Sequence, residues 1–272
     1  MMRRRNHTAP AGAQPAAHAQ PRAWPWVGAA LVLGGLAGAV VFAPARWLGA
    51  ALAQASGQRV VLLQPQGTLW RGSAALVLSA GAGGREQLAL PSRVHWQWSL
   101  QGLQPQLALQ AACCAPVPVQ LRLGWQGVQM LPGQLQWPLA WLQGLGSPWN
   151  TLQLRGDVQL QWQAVQLHWP RAAAPLQWSG SLQAQARDVS TRLSTLPQVG
   201  SYVLALQGGT APQLSLRTER GPLQLQGEGQ WRAQGLRFRG EAQAQPAQAG
   251  ELANLLTLIG QRQGNKFVMR WG

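Results

Sequence analysis

Acid–base or metal chemistry in this chain would fall to seven carboxylates and four histidines, spread over 272 residues. The carboxylates are Glu86, Asp157, Asp188, Glu219, Glu228, Glu241 and Glu251; the histidines are His7, His18, His95 and His168. A general acid and its base must converge on one reacting atom, and no close spacing of these residues suggests that they do. Asp157, Asp188 and Glu219 fall beside turn residues, where carboxylates are ordinarily solvated. No serine sits in a Gly-x-Ser-x-Gly elbow, no glycine-rich loop ends in Lys-Ser or Lys-Thr, and no His-Glu-x-x-His helix is present. The glycines at 81, 83 and 84 lie in a hairpin-like setting rather than between a strand and a helix, which argues against a phosphate cradle. The two cysteines, Cys113 and Cys114, are adjacent. A bridge between neighbours closes a strained ring outside the usual Cα separation, so they read as two small buried apolar residues at a strand end, with a redox role as the alternative. No catalytic, cofactor-binding or metal-ligating residue is assigned, no cofactor is expected, and the chain reads as non-enzymatic.

The formal net charge of +15 raises nucleic acid as a partner. The pattern argues against it. Arg3, Arg4, Arg5 and Arg22 belong to the N-terminal tail, Lys266 is the sole lysine, and the other arginines are scattered singly among alternating residues. That distribution describes a solvated surface. No nucleic-acid partner is expected.

A tract of 23 uncharged residues separates Arg22 from Arg46 and includes Leu31, Leu36, Val40 and Phe42. This is long enough to cross a bilayer as a helix. Trp24 and Trp26 at one end and Trp47 at the other suit the two interfaces, and Arg3, Arg4 and Arg5 predict a cytoplasmic N-terminus. The expected organisation is a disordered cytoplasmic tail over 1–22, a transmembrane helix over 23–45 and a periplasmic β domain over 46–272. A cleaved signal peptide ending at the small residues 51–53 is the alternative.

Beyond a short helical stretch at 48–56 the chain alternates apolar and polar residues, the mark of a strand with one buried face. Val94, Trp96 and Trp98 follow this rhythm, as do Val117, Val119, Leu121, Leu123 and Trp125. Val158 to Trp162, Val165 to Trp169, Leu182 to Ala186, and the pairs at 214/216, 223/225 and 236/238 repeat it. Glycine and proline punctuate the runs at 81–84, 102–105, 170–175, 208–212, 221–222 and 234–235. The fold class is mainly β: one transmembrane helix, then a curved antiparallel meander sheet with a short C-terminal helix. Residues 131–145 suggest a short helix or loop over the sheet. Residues 251–261 place Leu252, Leu255, Leu256 and Ile259 on one helical stripe, before a closing strand at 266–271. Most of the fifteen tryptophans sit at alternate strand positions and read as core; the other reading of so many rings is an aromatic lining for a lipid or sugar ligand.

Residues 66–73 read Gln-Gly-Thr-Leu-Trp-Arg-Gly-Ser. Residues 220–231 carry a Gly-Pro-Leu hairpin, and Arg-Phe-Arg-Gly at 237–240 and Leu-Ala-Asn-Leu-Leu at 252–256 follow. This order resembles the type II secretion system protein N family, with Gly67, Thr68, Leu69, Trp70, Gly72, Gly221, Pro222, Phe238, Gly240, Asn254 and Leu255 on motif positions in structural roles. The cysteine pair falls outside the pattern. The resemblance implies a single-pass bacterial inner-membrane accessory of the machine that exports folded proteins across the outer membrane. Its partners would be the other secretion proteins of the inner-membrane platform. The opening turn is also similar to that of AsmA-like envelope proteins, which implies, as an alternative, a periplasmic groove that binds or transfers lipid.

Overall fold

The computed structural model describes residues 24–169, 177–232 and 235–272. The arginine triplet, the tail over 1–22, His7, His18, the turn at 170–175 and Gln234 lie outside the described residues. Two units are present, 1–42 and 43–272.

In the first unit, α1 (Trp24–Val41) spans 18 residues, about 27 Å at 1.5 Å per residue. The hydrocarbon core of a bilayer is about 30 Å thick. Among the described residues no helix is long and apolar enough to cross a membrane. The span expected over 23–45 is therefore helical only as far as Val41. Leu31, Leu36, Val40 and Phe42 are all more than half exposed.

The second unit opens with α2 (Arg46–Ala55), whose buried face includes Gly49 and Ala53. Gly49 brings the helix onto Leu62. The chain then forms β1 (Val60–Gly67), β2 (Arg71–Ser79), β3 (Gln87–Gln101), β4 (Gln104–Ala111), β5 (Val119–Gly124) and β6 (Gly127–Met130) as successive antiparallel hairpins. It continues through β7 (Gly133–Pro138), a 3-10 turn (Leu139–Leu145), α3 (Trp149–Leu152), β8 (Arg155–Trp162), β9 (Val165–His168), β10 (Gln177–Ser179), β11 (Ser181–Ser190), β12 (Gly200–Gln207), β13 (Gln213–Arg220), β14 (Leu223–Arg232) and β15 (Gly235–Ala244). After α4 (Ala249–Ile259), β16 (Gln261–Gln263) and β17 (Lys266–Trp271) close the fold.

The expected single curved sheet is two antiparallel sheets. One has eight strands in the order β1-β2-β3-β4-β5-β6-β9-β10, the other nine in the order β16-β17-β15-β14-β13-β12-β11-β8-β7. The division is a crease across three long strands. β6 passes into β7 at residues 131–132, β8 into β9 at 163–164, and β10 into β11 at Gly180. Each runs in one sheet and finishes in the other. Trp162 fixes the crease: its indole N–H donates to the Leu131 carbonyl at 2.6 Å, and its ring lies where a Cβ on Gly133 would approach to 2.6 Å. Gly180 has φ +110°, and a Cβ there would come within 2.5 Å of the Ala164 carbonyl oxygen. Residues 131–145 accordingly begin as a strand, β7, and only then turn helical.

α4 covers the nine-stranded sheet with the expected stripe. Leu252, Leu255 and Leu256 are buried against Phe238, Ala242 and Met269, with Ile259 partly buried beside them. Tyr202 is buried in the same cluster and donates to the carbonyls of Val199 (3.1 Å) and Leu223 (3.2 Å). Burial pushes its hydroxyl pKa far above the ordinary 10.0.

The cysteines correct the reading of two separate thiols: Cys113 and Cys114 form a disulfide with Cα atoms 3.7 Å apart. That separation is what a trans peptide sets for consecutive residues; the usual range describes cysteines distant in sequence. The ring is tolerated because it sits in the turn after β4. There Cys114 and Ala115 both donate their N–H to the Ala111 carbonyl, at 3.0 and 2.8 Å, and Cys113 donates to the Ser92 hydroxyl at 3.1 Å. No backbone donor of this turn is stranded by the bridge.

Four outcomes follow from these contacts. Gly72→Ala, whose methyl would meet the Trp96 ring at 2.5 Å and the Gln66 carbonyl at 2.4 Å, lowers stability by about 1–3 kcal/mol in denaturant unfolding. Gly250→Ala, in helical conformation with nothing within 4 Å, leaves it unchanged or raises it by up to about 1 kcal/mol. Because the folded Tyr202 phenol is held protonated, stability is level through neutral pH and falls above about pH 10 as the unfolded phenol ionises. Tyr202→Phe flattens that fall and costs about 1 kcal/mol at pH 7. Finally, maleimide added to the denatured, unreduced chain leaves both cysteines unlabelled, and prior reduction opens both; mass spectrometry reads the difference.

Candidate interaction surfaces

The residues with chemistry do not converge. Asp188 pairs with Arg220 at 3.0 Å and Glu241 with Lys266 at 2.7 Å. The Lys266 ammonium, with a second hydrogen bond from Gln226, holds the Glu241 carboxyl below its ordinary range. Glu219 accepts from Gln185 at 2.6 Å, and Glu86 from Asn150 at 3.4 Å. Among the described residues no group of three or more His, Cys, Asp or Glu could hold a metal ion. Exposed ion pairs of this kind hold little energy.

The opening motif forms a fastening. Gly67 ends β1 with φ +87°, and a Cβ there would lie 2.4 Å from the Arg71 carbonyl oxygen. Thr68 closes the turn: its N–H donates to the Arg71 carbonyl at 2.9 Å, and its hydroxyl oxygen accepts from the Arg71 N–H at 3.2 Å. The Thr68 carbonyl accepts the Trp96 indole N–H at 3.2 Å. Trp70 meets Trp98 edge to face at 6.4 Å. The same turn holds the entry segment of this unit, since Ala45 donates to the Gly67 carbonyl (3.1 Å) and Leu69 to that of Ala43 (2.8 Å).

The later motif residues are gathered in the nine-stranded sheet. Gly221 has φ +121°, and a Cβ there would strike the Gly200 Cα; Pro222 gives its carbonyl to the Gln245 N–H at 2.8 Å. The Phe238 ring lies over glycines of two strands, where a Cβ on Gly227 or Gly240 would come to 2.4 or 2.9 Å from it. It also contacts Trp271, with ring centres 5.5 Å apart. Leu255 is buried, whereas Asn254 is exposed on the outer side of α4.

The tryptophans depart most from their reading as core. Among the described residues only Trp96 and Trp162 are buried; Trp47, Trp70, Trp125, Trp169, Trp231 and Trp271 are exposed. For Trp125 and Trp169 the reason is incomplete cover: α2 lies on one end of the apolar face of the eight-stranded sheet, over Trp96 and Leu62, and among the described residues no helix lies over the other end. Trp125 was expected on the inner face of a strand but stands in the β5–β6 turn at 102% relative exposure, and Val117 precedes the strand it was placed in and is exposed. The glycines at 124 and 127 were the available turn signal.

Two surfaces result. At the uncovered end of the eight-stranded sheet, a groove of about 800 Å³ is lined by residues that include Leu103, Arg122, Trp125, Leu167 and His168. At the end of the nine-stranded sheet, β16 pairs with β17 only as far as Val268, so among the described residues the outer side of Met269, Arg270 and Trp271 has no strand beside it. A smaller hollow of about 330 Å³ between the end of α4 and β17 adjoins this edge. The other edges are guarded. Cys114 accepts from Gln136 of β7, and Gly208 and Gly209 donate to the carbonyls of Gly180 and Trp178 beside β10. β1 is broken by a bulge between Leu63 and Gln66 that contains Pro65.

Neither a curated protein nor a solved structure matches the chain. Residues 58–269, which run from before β1 into β17, match the family described as type II secretion system (T2SS), protein N, and the chain belongs to that family.

Proposed function

We propose that the chain is a non-enzymatic scaffold of the type II secretion system, an accessory to the inner-membrane platform that exports folded proteins across the outer membrane. In this reading residues 1–22 are a cytoplasmic tail, 23–45 a transmembrane helix and 46–272 a periplasmic domain. Trp24, Trp26, Leu31, Leu36, Val40, Phe42 and Trp47 set the helix in the bilayer, and Arg3, Arg4 and Arg5 orient it. The motif residues Gly67, Thr68, Leu69, Trp70, Gly72, Gly221, Pro222, Phe238, Gly240, Asn254 and Leu255 maintain the fold and touch no substrate.

The observation that carries this reading is the family match over 58–269. The open side of β17 at Met269–271 supports partner contact by strand addition, in which backbone hydrogen bonds supply affinity and alternate side chains supply specificity.

A photo-crosslinker at Arg270 in the full chain, activated in intact cells, captures a platform protein, whereas one at Ala82 does not. Recovery of no secretion component, together with normal secretion in a strain lacking the protein, overturns the proposal.

A further inference from the structure

We propose that two neighbouring turns of the eight-stranded sheet form a membrane-contacting tip, which sets Leu103 and Trp125 into the headgroup region of an anionic bilayer. This rests on the reading that the β domain is tethered beside a membrane, and it assigns the domain a second contact with that membrane.

Register brings the turns together. The β3–β4 turn carries Gly102 and Leu103, and the β5–β6 turn carries Trp125 and Gln126; β4 and β5 are paired through Gln106 and Arg122. β6 pairs with β9 through Gly127 and His168, and the Trp169 N–H donates to the Gln126 carbonyl at 2.9 Å. Leu103 is 98% exposed and Trp125 102%, with Leu100 and Trp169 exposed behind them. Side chains so free of neighbours are not held by the fold for its own stability. They project outward from polar turns, and an indole there offers an apolar face and an N–H donor suited to the headgroup layer.

Charge selects the occupant. Of the residues lining the groove beneath these turns, the ionisable ones are Arg122 and His168. Residues 87–156, which supply both turns, contain no carboxylate. Arg122 lines the groove, and a guanidinium beside an apolar tip matches a lipid phosphate. A protein partner would instead be expected to bury these two side chains in pockets of its own.

The test uses the full chain in nanodiscs of phosphatidylethanolamine and phosphatidylglycerol. With the native cysteines joined, a spin label can be placed on Gln126→Cys in the tip, on Ala82→Cys at the opposite end of β3, or on Leu33→Cys in α1. Collisional accessibility to oxygen and to a nickel chelate then reports depth. The tip label is expected to be lipid-like and the Ala82→Cys label aqueous. Each apolar tip residue favours the docked state by about tenfold, so Leu103→Gln with Trp125→Gln returns the tip label to water. Arg122→Gln weakens docking about fivefold on the anionic discs and has no effect on phosphatidylcholine discs. An aqueous tip with a lipid-like Leu33→Cys label overturns the tip and leaves the tether standing. An aqueous signal at both positions overturns the tether as well. A lipid-like tip label that survives the double substitution overturns the assignment to Leu103 and Trp125, and so does capture of a protein rather than phospholipid by a photo-crosslinker at residue 103 in cells.

Discussion

The architecture depends on the crease beside Trp162. The strand segments among the described residues do not continue as one open twisted sheet, because accumulated twist makes sheets beyond about ten strands tend to curl or split. Here the split is made inside three strands, so neither sheet gains a new edge along the fold line. The Trp162 ring, passing over Gly133 and tied to the Leu131 carbonyl, fixes where the bend occurs. Gly180 supplies the backbone freedom on the third strand. Where the two apolar faces approach, Leu135 and Trp137 of β7 pack with Leu76, Val94 and Ala111 of the other sheet.

The same geometry determines what is left uncovered. One helix covers part of each apolar face, and the far end of the eight-stranded sheet receives none. Polar faces are solvated chiefly by amides: Gln134, Gln161 and Gln183 lie in one register row, and Gln136, Gln159 and Gln185 in another. Amide rows keep a sheet wet without adding charge of their own. Among the described residues, apolar turns and one open strand edge are therefore the distinctive surfaces.

Much of this was legible in the chain. The α4 stripe, the strand at 266–271 and the helix after Arg46 appear close to where periodicity placed them, because each buries one face and exposes the other. The strands β2 and β12 lack the rhythm for the opposite reason: Val77, Leu78 and Ser79, or Ser201, Tyr202 and Val203, are buried on consecutive positions, which erases alternation. The crease could not be read because it arises from pairing between distant strands. Spacing also misled at Trp125, where an apolar residue continued the rhythm of β5 past the end of its ladder at Gly124. At the cysteine pair, a rule for distant cysteines was applied to neighbours. The motif positions were legible as a set, yet what Gly67 and Gly72 do locally required knowing which backbone passes behind them.

The fastening of Ala43 and Ala45 to the turn between β1 and β2 has a mechanical consequence. Any tug arriving along the chain from residue 42 is delivered to a hairpin loop that Trp96, an interior-strand residue, grips through the Thr68 carbonyl. A load on this segment is thus shared by the turn between β1 and β2 and by β3. A domain wired in this manner can be pulled by its N-terminal leash while its folded geometry stays intact.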